Sequence, residues 1–269
     1  MNRAERDGLV VYQFESLPPG VETLVSTRLG GASAPPYDSL NLGLRVGDDP
    51  DKVVENREIL FRTFGMSLER SVWCKQIHAA GVVVVDGSDA GRGSREEASI
   101  VEEADALVTN SPGLAVAVTL ADCVPVVVFD PLRRVVGLAH AGWGGTVSRI
   151  SSRTVGVMGE RFGSNPTSLH AAIGPSISRA GYEVGDEVIE RARAAFGPRA
   201  GEVLAPAAEG KALFDLWAAN RIDLEEAGVP ASQVEVSEIA TDANLNEFYS
   251  HRHEDGNTGR FIAVAGLVD

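Results

Sequence analysis

The sequence predicts an α/β fold in one domain spanning residues 1–269, with a mixed rather than a purely parallel sheet. The stretch from Leu114 to Arg149 contains three apolar, β-branched segments, LAVAVTL, VPVVVF and VVGLA, which read as strands buried on both faces. Strand-like segments cluster between about residues 70 and 140 and helical ones between about 144 and 227, an order that simple βαβ alternation does not produce. No repeat, low-complexity tract or linker divides the chain, and 44% hydrophobic residues in a length of 269 suffice for a substantial core.

In chain order, LVVYQF and ETLVST are short strands separated by the turn signal Pro18-Pro19-Gly20. Arg28-Leu29-Gly30-Gly31 then opens a long polar loop with Arg28 and Asn41 at its ends; loops of this length are more often functional than idle. Asp49-Pro50-Asp51 starts a helix running to Gly65, with Val53, Leu60 and Phe64 as its apolar stripe. Arg57 falls on that stripe, so a buried guanidinium there needs a partner. A structural ion pair and an anion-binding arginine both satisfy that need. SVWCKQIHAAGVVVVD reads as a strand or strand pair ending near Asp86, with Gln76 and His78 on one face of an extended segment. A Gly-rich exposed loop follows, closed by Glu102, Glu103 and Asp105. Beyond the central stretch, Val147, Ile150, Thr154 and Met158 mark a helix ending by Gly163, and SLHAAIGPSI returns as a strand broken at Gly174-Pro175. Val188 to Phe196 and Leu213 to Ala227 mark two more helices, and VEVSEIAT and RFIAVAGLV are strands around the polar FYSHRHEDGNTGR.

Composition excludes several classes of function. A net charge of −14 argues against nucleic acid or an anionic membrane as partner, since either would want a basic face. The first residues lack the apolar core of a signal peptide, and no apolar run is long enough to span a bilayer. Two cysteines, Cys74 and Cys123, fit reduced thiols and a cytoplasmic location.

Chemistry concentrates at the ends of the apolar segments, where Asp122, Cys123 and His140 have no packing use. Five histidines occur, at positions 78, 140, 170, 251 and 253. His78 and His140 with Cys123 make a donor set suited to Zn²⁺, with copper as the alternative, and three protein ligands leave a position open for substrate. A Cys–His hydrolase with Cys123 as nucleophile uses the same residues, and spacing alone does not choose between the two. Gly142-Trp143-Gly144-Gly145-Thr146, just ahead of a helical pattern, reads as a place for an anion, with Arg28, Arg57 and Arg260 as balancing charge.

The chain resembles the laccase-domain, YfiH-type family, also called polyphenol oxidase-like or peptidoglycan-editing-factor proteins. The resemblance runs over nearly the full length, through STRLGGAS, DSLNLGLRVGDD, VENR, KQIHAAGVVVVD, ADALVTN, TLADCVPV, GLAHAGWGGT, AAIGPSI and FYSHRHEDGNTGRF. It implies a single-domain α/β sandwich with a mixed central sheet, and His78, Cys123 and His140 as metal ligands. It further implies phosphate-dependent cleavage of adenosine, inosine, guanosine and methylthioadenosine, with adenosine deamination as a second activity. Purine nucleosides and phosphate would then be the partners of a monomer or homodimer. In that reading His78, Cys123, His140 and Asp122 form the catalytic set, Asp122 or Asp105 orienting the ligands, while Arg28, Asn41, Arg57, Gln76, Gly142, Trp143 and Arg260 serve substrate and phosphate. The alternatives are a cysteine hydrolase editing peptidoglycan precursors and, lower, a copper polyphenol oxidase. Five histidines cannot furnish a His₂Cys copper and a further imidazole-rich copper cluster. Two departures from the family pattern stand out: Ala240-Thr241 replaces the family's frequent Cys-Thr, and Ala79 replaces the glycine of Gln-x-His-Gly.

Overall fold

The computed structural model describes residues 1–268. Its strands are β1 (Asn2–Arg6), β2 (Leu9–Gln13), β3 (Val21–Ser26), β4 (Ser71–Trp73), β5 (Val82–Val84), β6 (Ala106–Thr109), β7 (Ala115–Leu120), β8 (Val124–Asp130), β9 (Val135–Ala141), β10 (His170–Ile173), β11 (Glu183–Val184), β12 (Leu204–Pro206), β13 (Ala212–Phe214), β14 (Val234–Val236) and β15 (Phe261–Leu267). Its α-helices are α1 (Pro50–Thr63), α2 (Trp143–Val147), α3 (Ile150–Phe162), α4 (Asp186–Phe196), α5 (Ala200–Val203) and α6 (Leu216–Glu226).

The strands form two six-stranded sheets, β1-β2-β3-β15-β7-β4 and β14-β10-β8-β9-β6-β5, and a small β11-β13-β12 sheet. Both large sheets are mixed: β4 lies parallel to β7, β14 to β10 and β5 to β6, while the remaining neighbours are antiparallel. The expected mixed α/β character is present, but two central sheets stand where one was expected. The alternation of side chains explains the layering. In β7, Val116, Val118 and Leu120 point between the sheets, toward Val127, Phe129, Val136 and Leu138 of the second. Ala115 and Ala117 point the other way, into a core with Leu60 and Phe61 of α1. In β8, Val126 and Val128 face Val155 and Met158 of α3 and Ala219 and Ile222 of α6. The order is therefore helix, sheet, sheet, helices. Strands buried on both faces carry no polar alternation, so the number of sheets cannot be counted from their sequence.

Other departures are local. β1 was missed because NRAER is polar, and it lies exposed at a sheet edge. The helix expected from Val147 is two, broken at Arg149, which adopts φ +64°. Leu213 belongs to β13 rather than to the following helix. α1 starts as its sequence implies, with the Asp49 side chain accepting from the Asp51 N–H at 3.0 Å and Pro50 in the first turn. No helix among the described residues is long and apolar enough to cross a membrane.

The chain passes between the large sheets several times. Three of those passages, β4 to β5, β7 to β8 and β14 to β15, carry residues 74–81, 121–123 and 237–260. They meet one another, and the candidate site is built where they meet.

Candidate metal centre

His78, Cys123 and His140 come from two of these passages and from β9, and one donor atom of each lies within 4.8 Å of the others. The imidazoles of His78 and His140 stand edge to face, 4.8 Å between centroids at 89°. His78 is not on an extended strand as expected: residues 76–78 lie outside the strands and His78 has φ +57°. Asp105 sets this geometry. Its carboxylate is fully buried, lies 3.0 Å from Nδ1 of His140, and accepts the backbone N–H groups of His78 at 3.0 Å and Ala79 at 2.8 Å. Its carbonyl accepts the N–H of His140 at 2.7 Å. Nδ1 of His140 is thereby occupied, which leaves Nε2 free to ligate an ion.

Electrostatics favour ionised ligands. Burial alone would raise the Cys123 thiol, but the charges and hydrogen bonds of His140 and His78 outweigh it and bring the thiol down. Burial alone would lower His140, and the Cys123 thiolate and Asp105 outweigh it and raise the imidazole. Asp105 is held below the ordinary carboxylate range: burial opposes ionisation, and the His140 contact and the Ala79 and His78 amides overcome it. Two imidazoles and an easily ionised thiol, braced by a buried carboxylate, fit an ion that takes nitrogen and sulfur ligands. Both cysteines are free.

The glycines after His140 have a steric use. A Cβ on Gly142 would lie 2.9 Å from Sγ of Cys123 and 3.2 Å from Cδ2 of His78; on Gly144 it would strike the His78 carbonyl oxygen, and on Gly145 it would lie 2.8 Å from that of Ala79. The glycines let the His78 segment approach the turn after His140. Trp143 packs against the Arg191 guanidinium at 5.0 Å, away from the cleft.

A cleft of about 380 Å³ opens onto His78, Cys123 and His140. Gln76, Arg57 and Arg260 line it; Arg28, Asn41, Gly142 and Trp143 do not. Arg28 stacks on Tyr249 at 4.4 Å and donates to Glu254 at 3.0 Å. Asn41, fully buried, accepts from the backbone of Gly43 and Arg260 and donates to Asp48. Arg57 resolves into neither of its two readings. It donates to the carbonyls of Leu42, Gly93 and Ser94 and stacks on Trp73 at 3.7 Å, and burial lowers it to about 9. Gln76 is fixed by exchanging hydrogen bonds with the Thr119 backbone at 2.8 and 2.9 Å. Arg260 ties one nitrogen, Nη1, to the carbonyls of Thr258 and Gly259. Asp122 supports rather than reacts: it accepts from Thr241 at 2.7 Å, from Ser250 at 3.0 Å and from the Arg252 N–H at 2.8 Å. Sequence reasoning passed over Arg45, Glu97, Thr119 and His251 as cleft residues. Only their placement reveals them, apart from the imidazole of His251.

Residues 22–268 match the family model described as multi-copper polyphenol oxidoreductase laccase. The chain is 39% identical over 245 residues to a Bacillus subtilis protein named purine nucleoside phosphorylase YlmD, covering 91% of this chain and 87% of that one. It is 38% identical over 243 residues to a protein named adenosine deaminase RL5 from an unknown prokaryotic organism, covering 90% and 92%. The crystal structure of YlmD from Geobacillus stearothermophilus superposes with a TM-score of 0.94 at 37% identity, covering 99% and 98% of the two chains.

Proposed function

The chain belongs to the multi-copper polyphenol oxidoreductase laccase family, and from that premise we propose that it is a metal-dependent purine nucleoside phosphorylase with adenosine deaminase activity. The observation that carries this reading is the His78–Cys123–His140 cluster at one side of a cleft that Arg260 also lines. Adenosine, inosine, guanosine and methylthioadenosine are the proposed substrates, and zinc the proposed ion. The name of the family model favours copper chemistry, but among the described residues there is one such ligand cluster, too few for a multicopper oxidase. A zinc ion held by these ligands would supply Lewis-acid polarisation of a substrate oxygen.

The chain's own residues supply the rest. Phosphorolysis breaks the bond from C1′ to the base nitrogen and forms a bond from C1′ to a phosphate oxygen. Arg260 offers Nε and Nη2 to that phosphate, because among the described residues only its Nη1 is engaged. The Gln76 amide, locked by Thr119, presents a rigid polar edge. Leu44, Val46 and Ile100, half-buried and lining the cleft, give apolar wall against which a purine can lie. Asp105 holds His140 and the segment of His78 in place throughout.

The test is base release from inosine and adenosine by purified protein, with and without phosphate, with metal content measured on the same sample. Release should require phosphate and fall by about 100-fold or more in His78→Ala. Release indifferent to phosphate would end this reading.

A second reading rests on a specific contact. Cys123, His140 and Asp105 form a thiol–imidazole–carboxylate series with a lowered thiol, which suits a cysteine hydrolase acting on peptidoglycan precursors. It requires Cys123 free of metal. Cleavage of a serine-containing muropeptide by metal-free protein would favour it, and full activity only with a bound metal would exclude it.

A further inference from the structure

The cleft holds one imidazole that neither the ligand set nor the support of the fold uses. His251 is exposed and lines the cleft. Its position is fixed from both sides. The Oγ of Ser250 and the N–H of Arg252 both donate to Oδ2 of Asp122, at 3.0 and 2.8 Å. The His251 carbonyl accepts the N–H of Gly256 at 2.8 Å. The ring itself lies on Gly256: a Cβ there would be 3.0 Å from Cε1, 3.6 Å from Nδ1 and 3.7 Å from Nε2. Gly256 adopts φ +79°, so both its backbone conformation and the ring above it call for glycine. Asp122 precedes Cys123 in the chain, so one buried carboxylate mounts both a metal ligand and the segment that presents His251.

The other polar groups of the cleft narrow what His251 can do. Arg57 is engaged by carbonyls, and Gln76 and Thr119 by each other. Beyond the three candidate ligands, Gln76 and Arg57 each keep one N–H not used in these bonds, and the larger hydrogen-bonding capacity is on Arg260 and His251, and on Arg45 and Glu97, which pair loosely at 3.7 Å. Arg260 follows His251 on the same passage between the sheets, and both face the cleft. A guanidinium tied at Nη1 and an imidazole resting on Gly256, both lining this cleft, are complementary to a tetrahedral oxyanion.

We propose that His251 is a substrate-contacting residue that donates a hydrogen bond to inorganic phosphate beside Arg260. The assignment of phosphate as the anion rests on the phosphorylase reading above. His251→Phe keeps a flat ring on Gly256 and removes the N–H, while His251→Gln keeps a donor.

Kinetics with phosphate and inosine varied separately, and equilibrium dialysis of inorganic phosphate against the metal-loaded protein, test the assignment. In the Phe variant the KM and the dialysis constant for phosphate should both rise about tenfold, with the KM for inosine within about twofold. The Gln variant should recover most of the loss, and both variants should keep the metal content of the parent. Unchanged phosphate binding in the Phe variant, an effect on the inosine KM instead, or loss of metal would overturn the proposal. Should the parent protein release base without phosphate, the phosphorylase reading falls, and dialysis still decides the role of His251.

Discussion

Asp105 carries more of the centre than any ligand does. Three hydrogen-bond donors converge on its carboxylate, from His140, His78 and Ala79, in a site closed to water. Asn in its place offers one acceptor oxygen and turns an amide NH₂ toward a donor. Asp105→Asn should therefore weaken metal binding by about 10–100-fold, read by competition with a chelator. The same carboxylate links stability to acid. Its folded-state pKa lies below the unfolded value, so its contribution is present above the unfolded value and is lost as pH falls through the folded one. In denaturant unfolding at a series of pH values, Asp105→Asn should lower stability near neutrality and show a shallower decline below about pH 4. At this scale the sequence was legible wherever residue type alone announces chemistry: a thiol and imidazoles at the ends of apolar runs. It was not legible where the partner decides. Arg28, Asn41 and Arg57 read as candidates for substrate, and each is engaged by Glu254, by backbone or by carbonyls that no spacing foretells. Asp105 stood in the sequence as the end of an acidic loop and, with Asp122, as a carboxylate that could orient the ligands; its three donors are what single it out.

At the scale of elements, the turn from β9 into α2 separates two roles that look alike in sequence. Gly145 and Gly156 are both helical glycines. A Cβ on Gly145 meets the Ala79 carbonyl at 2.8 Å, whereas on Gly156, on the exposed face of α3, it meets nothing within 4 Å. Gly145→Ala should destabilise by about 1–3 kcal/mol through overpacking and should lower metal occupancy, because Ala79 follows the proposed ligand His78. Gly156→Ala should stabilise by about 0.5–1 kcal/mol through helix propensity and leave metal content unchanged. Equal effects on metal content would show that the first glycine has no part in seating the His78 segment. Most long elements were readable, since α1, α4 and the strands of the central stretch carry clear periodicity, caps or apolar runs. β1 and the small sheet were not, because short, polar or edge strands lack the alternation that marks a half-buried face.

At the scale of the molecule, the centre sits where the two large sheets are joined. His78 lies on the passage from β4 to β5 and Cys123 on that from β7 to β8, each leading from the first sheet to the second, while His140 belongs to the second sheet alone. An ion bound by all three would add a direct link among segments that Asp105 and the pairing of β8 with β9 already hold near one another. Binding to the native state alone stabilises by about 2.7 kcal/mol at a free concentration a hundredfold above Kd. For a chain of this size that corresponds to a rise of roughly 5–10 °C in the unfolding midpoint. Zinc added to metal-stripped protein should produce such a rise in a thermal melt, and His78→Ala and Cys123→Ser should each remove most of it. A thiol titration run alongside should show Cys123 protected by the metal and Cys74, buried with its thiol pushed up to about 12, slow to react in either state. A zinc-dependent rise that survives loss of His78 would mean that the ion binds elsewhere, and that the joining of the sheets owes nothing to it.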